Sequence, residues 1–240
     1  MNAVLNKTIR FIDLGLSEYS DAWDFQTAKH ESIISVKSRN RSGEAPAEIT
    51  ENYLIFCEHP HVFTLGKSGD EKNLVIPKEQ LSSINASYHQ INRGGDITYH
   101  GPGQLVAYPV IDLENFFTDI HLYMRNMEEA VILTLNDFEI KSGRVKGLTG
   151  VWIDGDKPGR ARKICAMGVK TSRWVTLHGL ALNVSADLNY FNYIIPCGIS
   201  DKAVTSMQKE LGQTLNMEEV KKSLLKNFTA VFGALLSDPL

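Results

Sequence analysis

Two blocks of β-forming sequence, separated by one long amphipathic helix, limit the folds that this 240-residue chain can adopt. Each block has segments rich in β-branched and aromatic residues, bounded by turn formers. They lie at 53–57, 62–66, 88–92 and 105–113 in the first block and at 151–154, 163–171 and 174–183 in the second. Because strands and helices mix without a regular βαβ alternation, we expect an α+β fold, a mixed sheet packed with helices.

Three stretches carry the apolar spacing of amphipathic helices. They lie at about 17–36, 119–138 and 216–235. The first follows a strand at 8–14, and Ser17 or Ser20 could cap it. The polar segment 38–48, which contains glycine and proline, is expected to be a solvated loop. We expect the second helix to lie on the sheet.

Length and composition narrow the class of protein. With 43% hydrophobic residues the chain can bury a sizeable core, and we expect residues 1–240 to form a single domain. The formal net charge is -3, from 25 basic and 28 acidic residues, and no basic cluster suggests a nucleic-acid partner. A secretory signal and a membrane-length apolar run are both missing from the sequence. Three cysteines predict reduced thiols and a cytoplasmic location, and we expect a monomer.

One loop, residues 93–104, combines four glycines and a proline with six polar side chains. Its glycines permit left-handed and tightly turned backbone that can approach a ligand closely. The spacing is neither Gly-x-Gly-x-x-Gly nor a Gly-Lys-Ser/Thr phosphate loop. A cradle for a small molecule or acyl chain is therefore favoured. Tight hairpin turns would explain the glycines but not the crowding of polar residues.

The cysteines and one lysine supply candidates for nucleophilic chemistry. Cys197 lies between proline and glycine, and it could be a nucleophile or a small buried hydrophobic residue. Lys163 begins an otherwise apolar segment, so it could point into a pocket and stabilise a thiolate, or it could be a solvated surface group. Cys57 and Cys165 lie inside apolar runs and are expected to be core strand residues.

The histidines are more ambiguous. His59 and His61 flank a proline, but no other ligand stands at a zinc-site spacing, so we interpret them as loop residues. His100 and His178 each precede a glycine. Either could line a cleft, and either could be a hydrogen-bonded structural histidine.

These residues give the chain a resemblance to a known family. Gly-Gly-Asp-Ile-Thr-Tyr-His-Gly-Pro-Gly-Gln at 94–104 and Pro-Cys-Gly-Ile at 196–199 resemble highly specific motifs of the octanoyltransferases. These lipoyl(octanoyl) transferases move an octanoyl group from acyl carrier protein to a lysine of lipoate-dependent enzymes. The resemblance covers most of the chain, and Cys165 and the 38–48 segment depart from it.

The resemblance implies a fold shared with biotin and lipoate protein ligases and a two-step acyl transfer without cofactor, ATP or metal. It implies that Cys197 is the acyl-thioester nucleophile and that Lys163 stabilises the thiolate and relays protons. The implied acyl-substrate residues are Arg93, Gly94, Gly95, Asp96, Ile97, Thr98, Tyr99, His100, Ala166, Met167, Gly168, Gly179, Leu180 and Ala181. The implied donor is octanoyl-acyl carrier protein. The implied acceptors are the lipoyl domains of 2-oxoacid dehydrogenases and the glycine cleavage H protein.

Three other functions stay open from the residues themselves. An ATP-dependent lipoate or biotin ligase on the same scaffold would need no cysteine. A Cys-His hydrolase would pair Cys197 with His100 or His178 and release free octanoate. A noncatalytic carrier-binding module would keep its function in a Cys197→Ser variant.

Overall fold

Eleven strands form two sheets in the computed structural model, which describes residues 5–43, 46–195 and 203–237. They are β1 (Thr8–Leu16), β2 (Tyr53–Glu58), β3 (Val62–Leu65), β4 (Ser87–Gln90), β5 (Ile97–His100), β6 (Gln104–Val110), β7 (Val151–Ile153), β8 (Arg162–Ser172), β9 (Val175–Asn183), β10 (Ala203–Val204) and β11 (Leu235–Leu236). The large sheet has the order β10-β8-β9-β6-β2-β1-β11, with β7 pairing on β8. Strand β1 is parallel to both of its neighbours, and β8 is parallel to β10, whereas β2, β6, β9 and β8 are antiparallel in series. The expected mixed sheet is confirmed.

Four α-helices accompany the strands in the described residues. They are α1 (Tyr19–Ser42), α2 (Ile120–Asp137), α3 (Met207–Leu211) and α4 (Met217–Phe232). Short 3-10 turns lie at Glu71–Asn73, Lys78–Ile84, Leu113–Asn115 and Leu188–Tyr193. The helix expected from 119 is present, and the Asp119 side chain caps it by accepting hydrogen bonds from the N–H groups of His121 and Leu122.

Helices cover the large sheet on both faces. One face packs against α2 and α4, where Tyr123, Phe228 and Phe232 are buried in the largest apolar cluster. The other face packs against α1, where Ala22 and Ile33 join a second cluster. The apolar faces of α1, α2 and α4 are therefore buried against the sheet, as their spacing predicts. No helix of the described residues is long and apolar enough to cross a membrane.

The expected helix end near Val36 is wrong, because α1 continues to Ser42 and ends at Gly43 in the left-handed conformation. Lys37 is buried there in ion pairs with Asp112 and Glu114. This tertiary partner makes a charged residue part of the buried helix face, so residues 38–42 are helix rather than solvated loop. The expected serine cap is also wrong, since the N-cap is Glu18 without a side-chain hydrogen bond.

The glycine-rich loop contains a strand that sequence reading missed. Residues 97–100 form β5, which pairs antiparallel with β3 in a small sheet of order β4-β3-β5. Ile97 and Tyr99 bury their side chains in a third apolar cluster against the 3-10 turn at Leu188–Tyr193. Two apolar residues spaced by two are enough for a strand once a partner edge is available. The glycines are thereby confined to the turns on either side.

Candidate functional site

A cavity opens where the small sheet meets the α1 face of the large sheet. Its empty volume is about 390 Å³, including its open mouth. The lining residues come from five elements and the glycine-rich loop: Tyr19, Arg93, Thr98, His100, Val106, Tyr108, Ala166, Met167, Gly168, His178, Gly179, Leu180 and Ala181. Nine of the fourteen residues expected to bind the acyl substrate are in this lining. These nine residues are up to 88 positions apart in the sequence, and the fold brings them to one place.

Small residues on two paired strands form the floor of the cavity. Ala166 of β8 lies opposite Ala181 of β9, and Gly168 lies opposite Gly179. Directly opposed residues of antiparallel strands project to the same face, and alternate residues of a strand share that face. The four residues therefore lower the sheet surface over two strands, which leaves room for a ligand.

Gly179 is required by the packing of the sheet. A Cβ atom at this position would lie 2.0 Å from the carbonyl oxygen of Ala107 and 2.7 Å from Cδ of Pro109. Beside it, His178 has a φ of +64°, a conformation that costs energy for a residue with a Cβ. Its N–H donates to Oε1 of Gln26 on α1, at 2.9 Å, and this bond holds the turn of the strand in place.

The glycine-rich loop is tied to the large sheet at its first turn. The N–H of Gly94 donates to the carbonyl oxygen of Val169 on β8, at 3.0 Å. Arg93 is buried, and its Nη2 donates to both the carbonyl and the hydroxyl oxygen of Thr64. A Cβ atom at Gly168 would lie 2.8 Å from the carbonyl oxygen of Gly94, so the contact between loop and strand depends on glycine. The buried guanidinium supplies positive charge at the cavity wall.

The five expected substrate residues outside the lining have structural contacts of their own. They are Gly94, Gly95, Asp96, Ile97 and Tyr99. Gly95 takes a φ of +92°, and Asp96 accepts hydrogen bonds from the Asn73 side chain and from the N–H of Ile97. The Tyr99 hydroxyl lies 2.7 Å from Nδ1 of His61. These residues shape the loop and fill the core beneath β5.

Two buried histidines, His100 and His178, line the cavity and a third, His59, lies behind its wall residue Tyr108; each has a fixed tautomer. Nδ1 of His59 donates to the carbonyl oxygen of Ser17 at 2.7 Å, so its Nε2 accepts from the Tyr108 hydroxyl at 2.8 Å. Nδ1 of His100 donates to Oε1 of Gln104 at 2.7 Å, and Nε2 of His178 donates to Oδ1 of Asn92 at 3.0 Å. Burial lowers the pKa of His59 to about 4 and the pKa values of His100 and His178 to about 3. All three rings are neutral at pH 7.

His59 and His61 lie in the loop between β2 and β3, as expected, but their surroundings differ. His59 is fully buried, whereas the His61 ring stacks on Tyr190 with centroids 4.0 Å apart. No group of three histidine, cysteine or acidic side chains within residues 5–43, 46–195 and 203–237 could hold a metal ion.

Lys163 lies on β8, three residues before the cavity floor and outside the cavity lining. It is partly buried, and its Nζ lies 4.7 Å from the centroid of the Trp152 ring. A cation at this distance from an indole face is stabilised by the ring quadrupole. Strand β10, the first described segment after position 202, pairs with β8 at Arg162 and Lys163.

Cys57 and Cys165 are fully buried strand residues, as their apolar neighbours predict. Burial raises the pKa of each thiol, because a thiolate would lose its hydration there. Neither is suited to nucleophilic attack. Cys197 lies outside the described residues.

Sequence reading did not single out three residues of the cavity wall: Tyr19, Val106 and Tyr108. Tyr19 begins α1, and its ring stacks on His100 with centroids 6.1 Å apart. Alternation along β6 places Val106 and Tyr108 on the same face. All seven residues of that strand are buried, so no polar partner marks which face meets a ligand.

Comparison with known proteins identifies relatives along nearly the whole chain. The family model for the lipoyl protein ligase A/B catalytic domain matches residues 29–229. The octanoyltransferase of Cytophaga hutchinsonii is 59% identical over 97% of this chain and 96% of its own length. The octanoyltransferase of Christiangramia forsetii is 56% identical over 97% of this chain and 99% of its own length.

The fold is also that of solved structures with little sequence identity. A structure from the archaeal lipoylation system of Thermoplasma acidophilum, described as a bipartite lipoate protein ligase and its E2 lipoyl domain, aligns with a TM-score of 0.70 and 17% identity. It covers 98% of this chain and 87% of that one. The expected similarity to lipoate protein ligases in fold is therefore confirmed.

Proposed function

This chain belongs to the octanoyltransferase family, within the lipoyl protein ligase A/B catalytic domain family, and we propose that it transfers octanoyl groups through a thioester on Cys197. It is an acyltransferase of lipoate biosynthesis. The proposed donor is octanoyl-acyl carrier protein, and the proposed acceptors are lipoyl domains of 2-oxoacid dehydrogenases and the glycine cleavage H protein. The observation that carries this assignment is the match to octanoyltransferases at 59% and 56% identity over almost the whole chain.

The proposed reaction has two steps. The Cys197 thiolate attacks the carbonyl carbon of the donor thioester, a new carbon–sulfur bond forms, and the carrier thiolate leaves. The acceptor lysine amine then attacks the enzyme thioester, an amide forms, and the Cys197 thiolate leaves again. The carrier thiolate leaves as a thiol with a proton from the Lys163 ammonium, and the neutral Lys163 amine then takes the proton that the incoming lysine ammonium must lose. Atoms and charges balance without an external reactant.

The chemistry of the cysteines supports this choice of nucleophile. The thiols of Cys57 and Cys165 are buried in apolar clusters, and their raised pKa values oppose thiolate formation. Cys197 is the remaining cysteine of the sequence. The cavity supports acyl binding, because its wall is made largely of small and apolar residues.

The histidines argue against a Cys-His hydrolase. A general base acts best when its pKa lies near the working pH. Burial holds the pKa values of His100 and His178 at about 3, far below neutrality. Nδ1 of His100 is also occupied by Gln104. An ATP-dependent ligase is disfavoured because the relatives at 47–59% identity are octanoyltransferases.

The thioester can be tested by intact mass after incubation with octanoyl-acyl carrier protein in the absence of ATP. We expect an octanoyl adduct on the wild-type protein that hydroxylamine removes, and no adduct on Cys197→Ser. Cys165→Ala is the matched control and should keep the adduct. Product that appears only with ATP and free octanoate would contradict the proposal in favour of a ligase. Release of octanoate without an acceptor would favour a hydrolase.

The same assay, with an apo lipoyl domain added, tests the role of Lys163. Lys163→Met should lower amide formation by about 10²–10⁴-fold at neutral pH, the usual contribution of a positioned acid or base. Lys170→Met removes a lysine seven positions further along the same strand, beyond the cavity floor, and it should transfer normally. Equal rates in the two variants would contradict a role for Lys163.

We propose, further, that residues 1–240 form one catalytic domain that acts as a monomer in the cytoplasm without cofactor or metal. The low cysteine content and the near-balanced charge support this setting. We propose that the fourteen residues expected from the family motifs hold the acyl substrate, nine of them at the cavity wall and five by shaping the loop.

A further inference from the structure

Across the sheet from β8 to β2, the side chains beneath the cavity change from small to larger. Ala166 of β8 pairs with Ala181 of β9, Ala181 pairs with Val106 of β6, and Val106 pairs with Cys57 of β2. These four residues form one row perpendicular to the strands, with their side chains on the α1 face. Val106 and Cys57 are almost completely buried. The small side chains on β8 and β9 therefore leave space for a ligand, and the side chains on β6 and β2 fill that space.

A hydrogen-bonded group closes the cavity behind Val106. The Tyr108 hydroxyl donates to Nε2 of His59, and Sγ of Cys57 lies 3.5 Å from the same nitrogen. The Tyr19 ring packs edge-on against His59 with centroids 5.3 Å apart. Because His59 is held from its other side by the Ser17 carbonyl, this group cannot recede when a longer ligand presses on it. The end of the cavity is a wall of fixed position.

The open side of the row lies toward β8, the strand that carries Lys163. An acyl chain that reacts on this side would run across β9 toward β6. Two interstrand spacings amount to about 10 Å. This distance suits an extended acyl chain of medium length, with its methyl end at Val106.

We propose that Val106, backed by Tyr108 and His59, sets the upper length of the acyl chain that this site accepts. This inference rests on the acyl transfer proposed above. Shortening the Val106 side chain lengthens the cavity along the row, and enlarging it shortens the cavity. Burial of each additional methylene changes relative binding by about fourfold.

The test is a competition among acyl-acyl carrier proteins with chains of 4, 6, 8, 10 and 12 carbons, read as the acyl product on a lipoyl domain. Val106→Ala should raise the decanoyl-to-octanoyl product ratio by about fourfold to fifteenfold, for one to two methylenes accommodated. Val106→Ile should lower the octanoyl-to-hexanoyl ratio by about fourfold. Opposite shifts from the two variants are the signature of a length limit, and a general loss of stability would not produce them.

Val110→Ala is the matched control. Val110 lies on the same strand and in the same apolar cluster, is fully buried, and is outside the cavity lining. Its chain-length profile should equal that of the wild-type protein. Octanoyl transfer with one unchanged profile in all four proteins would overturn the length limit and leave the proposed function standing. A wild-type protein that transfers none of the five chains would instead refute the proposed function.

Discussion

At the scale of single residues, the site is built on positions where a side chain would not fit. Strands β6 and β9 lie so close together at Gly179 that a side chain there would meet the Ala107 carbonyl oxygen and the Pro109 ring. The neighbouring His178 absorbs the distortion with a left-handed backbone. Gly179 is therefore needed for the packing of the two strands, and it also lines the cavity. The two roles can be separated by measuring stability rather than activity.

Gly179→Ala should destabilise the protein, since the new methyl group meets backbone atoms that cannot move without opening the sheet. We expect the Tm to fall by roughly 3–10 °C, the range for overpacking in a chain of this size. Gly143→Ala is the control, because a Cβ there meets no atom within 4 Å. Thermal unfolding followed by circular dichroism checks both. Equal Tm values for the two variants would show that the strand pair can separate at little cost.

At the scale of elements, α1 extends beyond the last apolar residue of its sequence pattern because one of its charged residues is buried. Lys37 and Asp112 each have about 4% of their side chain exposed. Asp112 also accepts from the Thr50 hydroxyl and from the N–H of Glu114. The pair joins the last turns of α1 to the segment after β6, so the helix stays ordered beyond its last apolar residue.

Lys37→Met should cost about 3–5 kcal/mol of unfolding free energy, because it leaves the Asp112 carboxylate buried without its cation. Arg10→Met removes an ion pair with Glu51 in which both side chains are about half exposed, and it should change stability by less than about 1 kcal/mol. Urea unfolding at neutral pH measures both. A Lys37→Met variant as stable as Arg10→Met would mean that the buried carboxylate finds other partners.

At the scale of the whole molecule, three neutral histidines make stability depend on pH. The rings of His59, His100 and His178 hydrogen-bond to Ser17 before α1, to Gln104 of β6 and to Asn92 after β4. Their folded-state pKa values of about 3–4 lie below the ordinary value of 6.5. Below pH 6.5 the unfolded chain therefore binds protons that the folded protein does not. As the pH decreases below 6.5, the free energy of unfolding therefore decreases, and the contribution of these histidines levels off near pH 3–4.

The free energy of unfolding should therefore decrease between pH 6 and pH 4.5, with a slope of up to about 1.4 kcal/mol per pH unit for each histidine. His178→Asn should reduce this slope, and asparagine tolerates the left-handed backbone. His121→Asn changes an exposed histidine of α2 and should leave the slope intact. Urea titrations at four pH values give the slopes. Identical slopes in wild type and His178→Asn would contradict a buried neutral His178.

Local pattern determined much of this protein from its sequence. The apolar spacing located α2 and α4 to within a few residues, because each helix has a single face to bury. The motifs at 94–104 and 196–199 indicated the family, and nine of the substrate residues that the resemblance implied meet at the cavity. Cys57 and Cys165 were correctly expected in the core, because apolar neighbours on a strand surround them.

Only the tertiary structure decided the rest, because it depended on partners distant in the chain. The strand β5 exists because β3 offers an edge, and α1 reaches Ser42 because Asp112 is in place to receive Lys37. The neutrality of His59, His100 and His178 comes from burial, which the sequence around a histidine does not reveal. The closed end of the cavity at Val106 arises from the register of four strands, and register is set by the packing of the whole sheet rather than by any one segment.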